Sequence, residues 1–341
     1  MKKDIRNFTF NEIKKEMISL GEPVHRAKQI YKWLFQKNAH SFEAMTDISK
    51  KLIEKLNGTY FIGTLECAKH LISKDGTEKF LWRLKDGEHI ETVLIKEKNR
   101  KTLCLSTQAG CKFKCPFCAS GIKQFVRNLT VSEIVGQILK VQRICGERIT
   151  NIVFMGMGEP LDNYDNLIKA IEAINHSEGI GIGARKITVS TCGIIPGIRK
   201  LKNLGLQIEL SISLHAANNR SRNELVPVNK KYPIEELIKT CEQYFKETGR
   251  IITLEYTLIK GKNDLVKDAE DLAKVAKKIN AKVNLIKCSV FPGMECEAVS
   301  GECVQLFKNI LRSRGVAVTV RKSKGEDILA ACGQLAAEHR L

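Results

Sequence analysis

Three cysteines, Cys111, Cys115 and Cys118, fall in the short run CKFKCPFCASG with the spacing C-x3-C-x2-C. A disulfide uses two thiols, and a tetrahedral structural zinc uses four Cys or His ligands. No fourth ligand stands at knuckle spacing, since the nearest histidines on either side are His89 and His176. A [4Fe–4S] cluster on three thiolates leaves one iron open to a small molecule, which suits catalysis better than scaffolding. A zinc-stabilised, non-catalytic fold is the alternative. Further along, FMGMGEP supplies Gly156, Gly158 and Glu159: small residues that let a ligand approach the backbone, and a carboxylate that can accept from an ammonium. Ser190 in VSTCG, and Ser213, Leu214 and His215 in SLHA, stand at the ends of strand-like runs. Two more thiols flank this set, Cys104 before the cluster motif and Cys332 in GEDILAACGQL. By residue type alone both read as buried thiols.

These residues need a frame that gathers strand ends at one mouth. From about Lys101, strand-like runs (TLCLST, NIVFMGM, KITVSTC, QIELSISLH, IITLEYTLI, KVNLIKCSVF and finally VAVTVRK) alternate with helical ones. The first helix opens on Thr130-x-x-Glu133, a capping-box pattern. About six such units predict a parallel sheet, because parallel neighbours need a crossover, and sites then lie at the C-terminal strand ends. Upstream, FTFNEIKKEMISLG sets Phe10, Ile13, Met17 and Leu20 on one helical face and stops at Gly21. VHRAKQIYKWLFQK and MTDISKKLIEKLNG continue a small helical module whose basic residues either meet phosphate or form a solvated face. Between module and core, two Asp-Gly turns, Asp75-Gly76 and Asp86-Gly87, predict a β-meander.

The 341 residues are 43% hydrophobic, enough for a sizeable core, and no run of about 18 apolar residues predicts a membrane span. No secretory signal is visible in the charged N-terminal stretch, so we expect a cytoplasmic protein. Twelve cysteines in a reducing compartment point to metal binding or catalysis where they cluster. The formal net charge of +18 favours a polyanionic partner without proving one.

The C-x3-C-x2-C motif with Phe117 before its third cysteine resembles that of the radical S-adenosylmethionine (SAM) enzymes. TLCLSTQAGCKFKCPFC, FMGMGEPLDN, SLHAANNRSRNELVPVN and VTVRKSKGEDILAACGQL together resemble the RlmN/Cfr family of RNA adenosine methyltransferases, nearer its C2-specific branch. The resemblance implies a partial (β/α)6 radical SAM barrel of the α/β class. It divides the chain into an N-terminal helical accessory domain for RNA (1–60), a β-meander linker (61–96), the core (97–327) and a C-terminal segment (328–341). It also implies a [4Fe–4S] cluster on Cys111, Cys115 and Cys118, with SAM contacts at Gly158, Glu159, Ser190, Ser213, Leu214, His215 and Ser289. Two SAM molecules would serve each turnover. Cys332 would take a methyl group from one, and a radical made from the other would remove a hydrogen atom from that S-methyl. The methylene would add to adenine C2, Glu91 would accept the C2 proton, and Cys104 would release the product by disulfide formation with Cys332. The implied partners are 23S rRNA at adenosine 2503, tRNA at adenosine 37, and an electron donor such as flavodoxin or ferredoxin, with the enzyme a monomer. C8 methylation, or an RlmN-like paralogue with another RNA target, are the alternatives.

One stretch departs from the family pattern. Ser289 stands where the family has a SAM-contacting Asn, and Lys287, Cys288 and Val290 replace the neighbouring prolines and aromatic. The resemblance therefore predicts an altered SAM contact there.

Overall fold

A computed structural model describes residues 2–336; residues 337–341 of the expected C-terminal segment lie outside it. Three helices open the chain, α1 (Phe10–Ser19), α2 (His25–Phe35) and α3 (Lys50–Thr59). α1 starts on a capping box, Thr9 with Glu12, and ends before Gly21, whose φ of 71° stops the helix. Ile13 and Met17 are buried, as the spacing predicts, while Phe10 and Leu20 pack partly buried beside them. The module is bolted to the core by polar contacts. Buried Arg6 donates to the carbonyls of Gly63 and Ala39 at 2.8 and 2.9 Å. Asn38 Nδ2 donates to the Leu139 carbonyl at 2.9 Å.

The meander strands are β1 (Glu66–Ile72), β2 (Glu78–Arg83) and β3 (His89–Glu97). Gly76 and Gly87, with φ of 81° and 89°, make the two turns between them. The core strands are β4 (Arg100–Cys104), β5 (Asn151–Phe154), β6 (Ile187–Thr191), β7 (Glu209–Ser213), β8 (Thr253–Leu258), β9 (Lys282–Lys287) and β10 (Val318–Arg321). All ten belong to one sheet, in sequence order from β10 to β1, and β4 to β10 are mutually parallel. The meander joins antiparallel at the β4 edge, so it extends the barrel wall.

Parallel strands need crossovers. They are supplied chiefly by α4 (Val131–Cys145), α5 (Tyr164–Asn175), α6 (Ile195–Leu201), α7 (Ile234–Thr248), α8 (Val266–Lys278) and α9 (Gly301–Ser313). α4 begins on the expected Thr130–Glu133 capping box. The core strands pack apolar side chains against the helices, and several place polar ones on the concave face. In β8, Tyr256 meets Phe307 of α9 with ring centres 5.4 Å apart, so its neighbours Glu255 and Thr257 face inward. The alternation predicts the parallel sheet, and this α/β partial barrel is the form of it that the family resemblance implies. No described helix is long and apolar enough to cross a membrane.

Candidate active site

The concave face holds an open cavity, with room for about 160 Å³ of solvent, at the C-terminal ends of the core strands. The loop after β4 brings Cys111, Cys115 and Cys118 to its wall. Burial pushes the Cys111 thiol up to about 12, and Cys118 beside it adds to the shift. Cys115 and Cys118 are also raised by burial, Cys115 further by its two companions. A Cβ on Gly121 would lie 2.8 Å from the Phe113 carbonyl, so glycine lets the loop close behind the thiols.

Thiols this basic stay protonated on their own; a metal centre that binds them must take them as thiolates, releasing their protons. Among the described residues, no three His, Cys, Asp or Glu side chains converge as one ion would require. Zinc–sulfur bonds of about 2.3 Å would hold thiolates within roughly 4.6 Å of one another, whereas a four-iron cube spaces them more widely. Three thiols with no fourth Cys or His at knuckle spacing are the donor set that a cluster with one open iron would use.

The strand ends supply the other wall. Gly158 has φ of 93°, and a Cβ there would meet Gln108 Cβ at 2.5 Å. Glu159 is buried, and its two oxygens accept from the Leu161 and Cys192 amides at 3.0 and 2.8 Å. In this structure its carboxylate braces the turn after β5. Burial raises its pKa and these amides pull it back. Ser190 and Ser213 lie 3.3 Å apart, hydroxyl to hydroxyl, on the same wall. His215 has φ of 56°, and its Nδ1 accepts from the Thr257 amide at 3.0 Å. The proton is therefore on Nε2, and burial, then Arg222, hold the ring's pKa down at about 3. Leu214 does not line the cavity; it is buried in the apolar core. Ser289 lines the cavity, but its hydroxyl bonds Ser323 at 3.0 Å and Glu326 at 2.8 Å, tying it to the stretch that leads to Cys332.

Cys332 lines this cavity and also a second that reaches Cys104. Four residues are common to both walls: Met155, Ile286, Arg321 and Cys332. Cys104 and Cys332 are free thiols. Burial, with Cys332 next in weight, pushes Cys104 up to about 12. The segment that carries Cys332 is tethered along its length. The Gly333 carbonyl accepts from the Ala119 amide at 2.7 Å, and Gln334 Nε2 donates to the Val290 carbonyl at 2.8 Å. Gly333 sits at φ of 87°, where a Cβ would press to 2.9 Å on the Phe117 carbonyl.

Glu91 lines neither cavity. It is fully buried, not an exposed strand carboxylate; Oε2 accepts from the Ala336 amide at 2.8 Å and Oε1 stands 3.6 Å from Lys79 Nζ. Three residues absent from the sequence reading belong to the site. Fully buried Arg222 donates to the Cys192 carbonyl at 2.6 Å and to Asn229 Oδ1 at 2.9 Å, bracing the cavity floor. Glu255 and Arg321 line the same cavity as the three cysteines. The available signal was a lone acid inside the strand TLEYTL and a basic residue closing VTVRK.

A parallel barrel with three thiols in the loop after its first strand defines a class, the radical SAM enzymes. The profile described as "Radical SAM superfamily" matches residues 105–276, and "Ribosomal RNA large subunit methyltransferase N-terminal domain" matches residues 3–62. The chain is 45% identical over 334 residues to a "Probable dual-specificity RNA methyltransferase RlmN" of Clostridium perfringens, covering 98% of this chain and 96% of that one. A protein of the same name from Bacillus licheniformis is 44% identical, over 98% and 94% of the two chains. The crystal structure of a radical SAM methyltransferase from Sphaerobacter thermophilus superposes with a TM-score of 0.93 at 42% identity, covering 98% and 99%. This chain belongs to the RlmN family of radical SAM methyltransferases. The family implies SAM and a [4Fe–4S] cluster as cofactors.

Proposed function

We propose that this protein methylates carbon 2 of adenosine in RNA through an S-methylcysteine on Cys332, with adenosine 2503 of 23S rRNA and adenosine 37 of tRNA as targets. The observation that carries this reading is the place of Cys332. One sulfur faces both the cavity of the cluster thiols and the pocket of Cys104. Relatives named as dual-specificity RNA methyltransferases, and a net charge of +18, support two RNA substrates.

Adenine C2 lies between two ring nitrogens and is no nucleophile, so a direct displacement on SAM is closed to it. When bound, a cluster on Cys111, Cys115 and Cys118 supplies an open iron for SAM and the electron for its reductive cleavage. The chain's own residues do the rest. Cys332 takes a methyl group from one SAM; after hydrogen abstraction by a radical from a second, its sulfur carries the methylene that adds to C2. The adduct becomes a closed-shell thioether on loss of the C2 proton and of one electron, which an oxidised cluster on the three cysteines would accept. Cys104 then displaces the carbon from the Cys332 sulfur, forming a disulfide that a dithiol reductant must reopen. Glu91 is the expected acceptor of the C2 proton. Reaching it requires the Ala336 contact to open, because that amide now occupies Oε2. Ser190, Ser213, His215 and the Gly156–Glu159 turn hold SAM, the fixed Nε2–H of His215 serving as a donor.

The 1–60 module and its bases meet RNA, and residues 328–341 present the carrier thiol. The enzyme works as a cytoplasmic monomer with a flavodoxin or ferredoxin donor. Nucleoside mass spectrometry of rRNA and tRNA, from cells with and without the gene, tests the reading. Loss of 2-methyladenosine from both fractions is expected; loss of 8-methyladenosine instead would refute C2 chemistry.

A further inference from the structure

Strand register builds a polar row across the concave face. Ser213 of β7 pairs with Glu255 of β8, Glu255 with Asn284 of β9, and Asn284 with Thr319 of β10. One step nearer the mouth, Thr257, Ile286 and Arg321 form the next row. Asn284 Nδ2 donates to Glu255 Oε1 at 3.3 Å, and the Thr319 hydroxyl bonds Asn284 Oδ1, which fixes the carboxylate's plane. Glu255 Oε2 accepts no hydrogen bond of ordinary geometry although the residue is only 4% exposed. Burial raises its pKa, while Arg321, Asn284 and Ser211 pull it back. Arg321 donates only to the Met155 sulfur, at 3.6 Å, and no ion pair within 4.0 Å joins it to Glu255 among the described residues. A buried carboxylate oxygen and a guanidinium thus face one cavity with a gap between them. Such groups are costly to bury unless something completes them.

We infer that Glu255 and Arg321 read the Watson–Crick edge of the target adenine, Glu255 Oε2 accepting from the N6 amino group and Arg321 donating to N1. The inference rests on the proposed C2 chemistry, because it is the methyl carrier Cys332, at Arg321's side, that the base must meet. C2 adjoins N1, so an edge held by these two groups turns C2 toward Cys332. The polarity selects the base. Guanine and hypoxanthine present O6 to the carboxylate and N1–H to the guanidinium, both mismatched. Unpaired polar groups in a closed site reject an analogue far more strongly than a missing methylene does. The two groups are specificity-determining rather than bond-making.

The test is a functional-group cycle with cluster-loaded enzyme and a synthetic RNA hairpin whose target nucleotide is adenosine, purine riboside (lacking the 6-amino group) or inosine. Wild type should lose about 10–100-fold in kcat/KM on purine riboside. Glu255→Ala should be slow on adenosine yet lose less than about 3-fold more on purine riboside. Glu255→Gln keeps an acceptor and should regain sensitivity to the missing amino group. Its amide can also donate to O6, so its penalty against inosine should shrink. If Glu255→Ala keeps the wild-type penalty, or Glu255→Gln rejects inosine as wild type does, the inference is wrong. If the KM for SAM rises in both variants while the base penalties stay unchanged, the pair binds SAM and the inference is again wrong. Wild type that makes no 2-methyladenosine on the adenosine hairpin would instead refute the C2 reading itself.

Discussion

Release of methylated RNA from the protein should report the burial of Cys104. This thiol is 7% exposed, and burial is the main cause of its rise from an ordinary 9.0 to about 12. At pH 7 a thiol of pKa 12 is ionised about once in 100,000, against about once in 100 at 9.0, a deficit of roughly 1,000-fold. The more basic thiolate is also the better nucleophile. With a Brønsted slope of about 0.45, three units return a factor of roughly 20. Cys104 should therefore attack about 50-fold more slowly at pH 7 than an exposed thiol in the same place. The Cys332 contribution disappears once that sulfur is a thioether, but burial, the larger cause, stays. The assay isolates the RNA–protein adduct and follows its decay on denaturing gels at a series of pH values. The rate should climb about tenfold per pH unit from about pH 7 to beyond pH 9, where an ordinary thiol levels off. Cys104→Ala should hold the adduct, and Cys332→Ala should form none. A plateau below pH 9, or turnover by Cys104→Ala, would refute the reasoning.

Glu91→Gln removes one charged partner of buried Lys79 and weakens the hold on Ala336, which should cost about 1–3 kcal/mol in chemical denaturation. Hydrogen exchange at Ala336 should quicken, and unchanged exchange would mean the carboxylate does not tether the segment. His215 titrates at about 3 in the fold and at 6.5 when unfolded, so the unfolded state binds the extra proton between those values. Stability is lost as pH falls through that window, by about 2 kcal/mol at pH 5. Comparing denaturation of wild type and His215→Gln at pH 7 and pH 5 isolates the term, and equal pH slopes would contradict it. Gly158→Ala forces a side chain into φ of 93° against Gln108. It should cost about 1–3 kcal/mol, read as a lower denaturant midpoint at unchanged slope.

Local pattern made much of this protein legible. The spacing of the three cysteines, with no fourth ligand beside them, favours an open cluster over a four-ligand zinc knuckle. The strands of the core, the two Asp-Gly turns and the Thr130–Glu133 cap are set by residues within a few positions of one another. Alternation also predicted the mouth where Ser190, Ser213 and His215 gather. It misplaced Leu214, whose side chain packs into the core between two cavity-lining neighbours.

What needed the fold was every relation between distant segments. That the meander continues the barrel sheet follows from the pairing of β3 with β4, which no local pattern specifies. Glu159 looked open to an ammonium, but the fold brings the Cys192 amide to it. Glu91 carries no local sign of its surroundings, and the fold encloses it between the C-terminal segment and Lys79. The row Ser213, Glu255, Asn284, Thr319 exists only through register across four strands. The three-thiol donor set that the family's cluster would use was legible in the sequence, because donor type and spacing are covalent facts. That Cys332 lines two cavities, and that Glu255 and Arg321 line one of them with no direct ion pair among the described residues, was decided by tertiary structure, because burial and proximity are set by where the whole chain closes on itself.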